Sequence, residues 1–460
     1  MSVADRPRVL IGGGGVAAVE TLLALHHLVG EQVSVELLAP ERALVHRPSS
    51  VAAPFGFGAP APLDLRELAE RFGAGLQCGA VSVVDAEHRV VVAAPSGEAI
   101  PYDLLVVAVG AVPRPAVPGA LTFAGPQDAP AVAELLDAVV RGELRRLAFT
   151  LPAGATWSLP VYELAVMAAV ELRNRGVSDA EITVVTPEPE PLGIFGAAAG
   201  AAIRDMLAAR GVELVTGART LAVRDDRLML QGAEPLAVDA VVALPALSGP
   251  DLYGLPADGD GYLPVDAHGR VAGVASVYAA GDATTFPIKQ GGLATQQADA
   301  VAEAIAEDLG VRHGAAPFRP VLRGLLLTGG APLYLRAELS KPAEAATART
   351  LRGVASMRAL WWPPGKVAGR YLAPYLADTR PVDLAAEPLV DRVANPSAPA
   401  PDHDDAFELA LLLAEEDAKI GDYRQALHAL DAAAALSGGV LPDTWAQNRS
   451  RWQRELARTG

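Results

Sequence analysis

A strand that runs directly into clustered glycines constrains this chain more than any other feature. Arg8–Gly12 reads as an apolar strand, followed by Gly13-Gly14-Gly15 and an apolar helix to about Leu28. With Gly13 as the first glycine, the pattern is Gly13-x-Gly15-x-x-Ala18. The first glycine makes a tight turn, and the second lets backbone approach a pyrophosphate. The small third residue allows helix–strand packing, and the helix N-terminus favours phosphate. One such motif is weak evidence, so the rest of the chain must supply further pieces in order.

Two more follow. Tyr102–Val109 is an apolar strand delivered into Ala108-x-Gly110-x-x-Pro113, a second close approach of backbone. Val277–Ala280 reads as a short strand running into Gly281-Asp282, then a loop carrying Lys289 and a helix from about Gly292. Gly281 admits a ligand where a Cβ would clash. Asp282 places a carboxylate at the carboxyl end of a strand, where doubly wound sheets bind ligands, and can accept hydrogen bonds from sugar or ribityl hydroxyls. The strand Val33–Leu38 should end in an acid for a ribose. Its register puts Ala39 there, so either Glu41 reaches the ribose or that contact is missing. Arg42 and Arg47, in the loop that follows, could meet phosphate or adenine, or be solvated loop charges.

A second α/β unit runs from about Leu147 to Ala246, with its first strand at Arg146–Leu151. Pro152, Trp157 and Pro160 occupy the loop where a Gly-x-Gly-x-x-Gly would bind a second dinucleotide. The topology is present without its phosphate loop. Residues 315–376 read as a small α+β region. Trp361, Trp362, Tyr371 and Tyr375 there either pack onto the body or face a quinone or membrane interface. Residues 378–405 read as a Pro-, Ala- and Asp-rich linker. Beyond them Ala406–Lys419, Tyr423–Leu436 and Asp443–Ala457 read as helices. GDYRQALHALDAA resembles one tetratricopeptide unit, which cannot bury its face alone and should dock on the body, a second subunit or another protein. The expected division is 1–145 with 251–314 as the first dinucleotide domain, 146–250 as the second, then 315–377, 378–405 and 406–460.

The net charge of −16 argues against nucleic acid and against an anionic membrane surface. More than half of it lies in residues 378–418, where only Arg380 and Arg392 oppose the acids. No apolar run approaches the roughly 18 residues of a membrane span, and the N-terminus enters a strand with no apolar signal region. A cytoplasmic protein is expected, with membrane contact at most peripheral. Cys78 is the only cysteine, which excludes a disulfide framework or a two-cysteine redox centre within the chain. The histidines show no metal-ligand spacing, so no metal is expected.

With the three pieces in order, residues 6–376 resemble the two-dinucleotide-domain flavoproteins: pyridine nucleotide–disulfide oxidoreductases, type II NADH dehydrogenases and sulfide:quinone oxidoreductases. The last group is the nearest resemblance, through His46-Arg47-Pro48, Pro160-Val161-Tyr162-Glu163 and Lys289 ahead of a helix with Gln296 and Gln297. That resemblance implies an α/β fold of two Rossmann-like domains in three ββα layers, with FAD bound by Gly13, Gly15, Ala18, Ala108, Gly110, Gly281 and Asp282. It places Lys289 at the flavin N1/O2 edge and Gln296 and Gln297 on the acceptor side. It also implies cysteines that carry persulfide, and here one of those positions falls at about Trp157. Trp157 would instead cap the flavin face. The expected function is an FAD-dependent oxidoreductase carrying electrons from an unidentified donor to a quinone-like or protein acceptor, without the cysteine pair for sulfide oxidation. The alternatives are an NAD(P)H dehydrogenase of type II kind, or a flavin-bearing scaffold whose tail recruits a partner. A homodimer is compatible with each.

Overall fold

A computed structural model of the chain describes residues 6–56, 62–339, 350–379, 423–436 and 441–459, with Leu411, Ala414 and Ala418. Residues 380–405 of the expected linker, most of the helix expected over Ala406–Lys419 and the Gly421-Asp422 turn lie outside the described residues.

Continuous apolar runs such as RVLIG, LLVV and VYA make strands buried on both faces, the signature of a parallel sheet. The first sheet has the order Val277–Ala279, Leu104–Val107, Arg8–Gly12, Ser34–Ala39, Gly75–Cys78, parallel throughout. The chain starts at the centre, builds outward on one side and returns to the other. The order therefore reverses between Arg8–Gly12 and Leu104–Val107, and a doubly wound sheet binds its ligand outside the carboxyl ends at that switch. One face is covered by the helices Val16–Leu28 and Gly291–Asp308, which pack against each other. The other carries the antiparallel meander Ala80–Asp85, Val90–Ala94, Glu98–Pro101, whose Val81, Val84 and Val91 meet Leu10, Leu38 and Leu105.

The second sheet is also parallel, in the order Leu121–Thr122, Ala240–Ala243, Arg146–Thr150, Glu181–Val185, Val212–Val215. The helix Leu159–Asn174 lies almost wholly buried against it. Val321–Leu326, Leu333–Leu339 and Thr350–Ser356 form a three-stranded antiparallel sheet, and the helix Leu372–Thr379 comes later. The aromatics of this region divide between two packing sites. Trp361 is buried edge-on to Tyr334 at 5.2 Å, while Tyr371 and Tyr375 reach His27 and Phe72 on the first domain. In the tail, Trp452 is buried with Ala426, Leu430 and Ala433 in a separate apolar cluster.

A buried acid fastens the last helix of the body. Glu20, inside Val16–Leu28, accepts from the Tyr371 and Leu372 amides at 2.8 Å each. A Cβ on Gly369 would fall 2.5 Å from its Oε2 and 3.0 Å from Thr295 Cγ2, so a side chain there would push the carboxylate off these amides. Burial raises the Glu20 carboxyl to about 7, against those amides and a hydrogen bond to Asp299. Asp299 is raised well above its usual range by burial and then by Glu20. Arg370, paired with Glu303 at 3.3 Å, is the nearby cation. A carboxyl with a higher pKa folded than unfolded adds stability at acid pH and loses it as pH rises. Stability is expected to fall as pH climbs from about 4.5 through about 7. Asp299→Asn should flatten that fall, as a denaturation series across pH will read out.

Candidate functional site

The strand ends at the switch are tied in one row. The Gly13 amide donates to Leu38 O (2.8 Å), the Ala108 amide to Gly12 O (2.8 Å) and the Ala280 amide to Val107 O (3.0 Å). Gly13 has φ +129°, and a Cβ there would lie 2.3 Å from Ala108 O, so only glycine lets the two loops touch. Gly15 and Gly110 differ: a Cβ at either meets nothing within 4 Å, so their backbones face open space. The helix Val16–Leu28 starts at Gly15 with no side chain capping its first turn, which leaves amides aimed at an anion. Ala18 is fully buried beneath the turn. Gly281 is wedged between Ala17 and Ala294, at 3.1 and 3.3 Å from its would-be Cβ, which sets Gly281-Asp282 at the start of both covering helices.

Asp282 is half-buried. Burial pushes its carboxyl up, against the opposing pull of Lys289 and Arg47. Lys289 is buried, donates to Thr284 O and holds its Nζ 3.7 Å from the Tyr262 ring centroid. Burial lowers its pKa to about 8, although Asp282 and Asp258 pull the other way. This is a cation whose charge is held in a nearly dry place. Gln297 fastens the same turn: its Oε1 accepts from the Gly281 amide (2.7 Å) and its Nε2 donates to Thr284 Oγ1 (3.2 Å). Gln296 joins the helix to the C-terminal sheet, donating to Gly292 O (2.7 Å) and Val321 O (2.9 Å) and accepting from the Val321 amide (2.9 Å).

The other sequence candidates are spread around this centre. Arg47 is exposed at the head of the 3-10 run Arg47–Phe55, and its neighbour Pro48 packs with Val16 and Val367 around Gly291. Glu41 and Arg42 are exposed just past the strand Ser34–Ala39. Trp157 belongs to the second domain, half-buried and edge-on to Phe195 at 5.9 Å. Cys78 ends the edge strand of the first sheet, exposed, with its Sγ 3.9 Å from Pro40 O.

Two features, Tyr262 and Glu188, escape the motif reading, and a third, Glu163, is named by its motif without its partner. Tyr262, under Lys289, lies in a stretch with no pattern. Glu163 is fully buried in Leu159–Asn174; its Oε1 accepts from the Leu327 amide (2.8 Å) and pairs with buried Lys366. Its Oε2 is buried with no hydrogen-bond partner among the described residues. Lys366 precedes Val367, so this pair sits one residue from the Gly291 junction. Burial raises the Glu163 carboxyl, with Lys366 pulling it back. Glu188 is bonded to Ser158 and Tyr162. The signal for Glu163 is its place in Pro160-Val161-Tyr162-Glu163, as the one acid in the otherwise apolar first three turns of its helix, where it must find a partner.

Glycine loops in contact, an uncapped helix start, open Cα faces at Gly15 and Gly110 and a carboxylate at the switch fit a bound dinucleotide. Together with the two parallel sheets they define a two-dinucleotide-domain flavoprotein. Residues 7–304 match the model of the pyridine nucleotide-disulphide oxidoreductase family, and the chain belongs to it. It is an FAD-dependent oxidoreductase. Among solved structures, the fold is similar to the sulfide:quinone oxidoreductase of the hyperthermophilic bacterium Aquifex aeolicus, with TM-score 0.68 and 19% identity over 76% of this chain and 86% of that one. A ferredoxin reductase of Rhodopseudomonas palustris gives 0.59 and 18% over 76% and 91%. An NAD-dependent persulfide reductase of A. fulgidus gives 0.56 and 18% over 73% and 64%. Among the described residues, no helix is long and apolar enough to cross a membrane.

Proposed function

We propose that this enzyme passes electron pairs from its donor, through FAD, to a quinone-like acceptor. The observation that carries the reading is the buried Glu163–Lys366 pair, set in the apolar core beside the Gly291 junction with Trp361, Leu159 and Phe195 in the same core. A quinone takes up protons with its electrons, and its ring is apolar. An ionisable pair inside an apolar wall suits both needs. Bound FAD supplies two-electron acceptance and return at its isoalloxazine ring. Gly13, Gly15 and Ala18, with the helix start behind them, hold the pyrophosphate. Gly110 allows the second backbone approach, and Gly281-Asp282 presents a carboxylate to ribityl hydroxyls. Arg47 offers a charge to phosphate, and Glu41 or Arg42 the adenosine end. Gln296 and Gln297 support the acceptor side by fixing the helix start and the turn, and Trp157 narrows access from the second domain.

Lys289 holds positive charge where negative charge develops. Its replacement by Met is expected to lower the two-electron potential of the bound FAD. One charge-assisted interaction is worth about 1.5–3 kcal/mol, which is roughly 30–60 mV for a two-electron couple. Dye-equilibrated potentiometry reads it, and an unchanged potential with an unchanged rate removes the role. For the function itself, the purified protein is photoreduced anaerobically and mixed with a soluble quinone. Return of the oxidised absorbance in a single fast phase is expected. A slow return matching that of free flavin would reject the acceptor.

A further inference from the structure

The two dinucleotide domains of this chain differ at the same topological place. In the first, the strand Arg8–Gly12 reaches its helix through Gly13-Gly14-Gly15, and the strand beyond, Ser34–Ala39, ends without a bonded acid. In the second, Arg146–Thr150 reaches the helix Leu159–Asn174 through Leu151–Ser158, a longer loop. The next strand, Glu181–Val185, is followed by Glu188. In a doubly wound domain the helix start faces the pyrophosphate, and an acid after the second strand takes the adenosine ribose hydroxyls. Glu188 holds that acid's place, and both its oxygens are already used. Ser158 Oγ donates to Oε1 at 2.8 Å, while Tyr162 OH and Thr186 Oγ1 donate to Oε2 at 2.5 and 3.2 Å.

The donors come from the wall a dinucleotide would face. Ser158 immediately precedes the helix, and fully buried Tyr162 lies in its first turn. A nucleotide inserted between them and Glu188 would break both bonds and strand a buried hydroxyl. The helix start is also poor in donors. Ser158 spends its hydroxyl on Glu188 rather than on a cap, Pro160 has no N–H, and the Val161 amide is bonded to Ser158 O at 3.1 Å.

We infer that Glu188, Ser158 and Tyr162 form a latch across the ribose position of the second domain. It bars NADH and NADPH, so the enzyme takes its electrons from a donor that is not a nicotinamide nucleotide. The latch is a specificity element, and it rests on the reading of the chain as a flavin-dependent electron carrier. The protein donors engage both oxygens, taking three of the roughly four acceptor positions that ribose hydroxyls would otherwise claim.

The test uses the full-length FAD-loaded protein under anaerobic conditions, with photoreduction in EDTA as the control. Absorbance that does not bleach in the light would reject the flavin reading itself, independently of the latch. With that control passed, millimolar NADH and NADPH are expected to leave the absorbance unchanged, and calorimetric titration with NAD⁺ to show no saturable heat. Saturable binding or rapid bleaching would overturn the latch. The variant Ser158→Ala/Tyr162→Phe frees Oε1, leaves Oε2 with Thr186 alone and keeps the packing, and is expected to gain at least tenfold in nicotinamide-nucleotide affinity with photoreduction unaltered. No gain in that variant, or in Tyr162→Phe alone if the double variant misfolds, would remove these residues as the determinant.

Discussion

Replacing Gly15 by Glu is expected to give a folded protein that binds no FAD. A Cβ at Gly15 meets nothing within 4 Å, so the backbone accommodates a side chain without strain. What changes is the space in front of the helix start. The first amides of Val16–Leu28 point there uncapped, and a carboxylate would occupy them in place of pyrophosphate. Like charges brought together cost several kcal/mol, and each 1.4 kcal/mol is tenfold. A loss of affinity of about a thousandfold follows, enough to leave the purified protein colourless. Gly13→Ala serves as the contrast. It would drive a Cβ to 2.3 Å from Ala108 O at φ +129°, so it should damage folding as well as binding. Circular dichroism with flavin absorbance separates the two: Gly15→Glu keeps the first and loses the second. A yellow Gly15→Glu protein would mean that the pyrophosphate lies elsewhere.

That contrast also shows which parts of this molecule a sequence can reveal. Gly13, Ala108 and Gly281 are legible because their constraint is local: a strand ends, the chain must turn, and only a residue with little or no side chain fits. The parallel sheets are legible for a similar reason, since strands buried on both faces read as unbroken apolar runs. Pairings across long sequence separations are not legible in that way. Glu163 meets Lys366 across two domains, and Glu20 meets Tyr371 and Leu372 across 351 and 352 positions of sequence. Each acid stands out in its apolar helix, yet nothing nearby names its partner. The glutamines illustrate the same limit. Gln296 and Gln297 are adjacent on one helix, but their side chains leave in different directions, one to the Val321 backbone and one to Gly281. The missing phosphate loop of the second domain is visible as an absence. That Glu188 is bonded in its place depends on bringing Ser158 and Tyr162 to the end of another strand.

Lys366→Met is expected to destabilise the protein by about 3–5 kcal/mol, the usual cost of removing one partner from a buried pair. Glu163 would stay fully buried, keeping only the Leu327 amide as a donor. Its carboxyl, already raised by burial, would lose the ammonium that pulls it back. The sign of the pH dependence follows. The folded pKa stands above the unfolded one, so the variant retains most stability at acid pH and loses it as pH rises. Urea denaturation of wild type and variant should diverge more near pH 8 than near pH 5. A divergence in the opposite sense would show that the carboxylate finds another cation. Glu163→Gln/Lys366→Met removes both charges and should recover much of the loss, because a neutral amide keeps the Leu327 bond through its oxygen and the uncompensated buried charge is gone, against the smaller cost of its NH2 in the unpartnered place of Oε2. This double variant also decides what the pair is for. If it is stable and still returns electrons to a soluble quinone at the wild-type rate, the pair only holds the second domain to the C-terminal segment. If it is stable but slow, with the rate no longer following pH, Glu163 and Lys366 hold the proton that the acceptor needs.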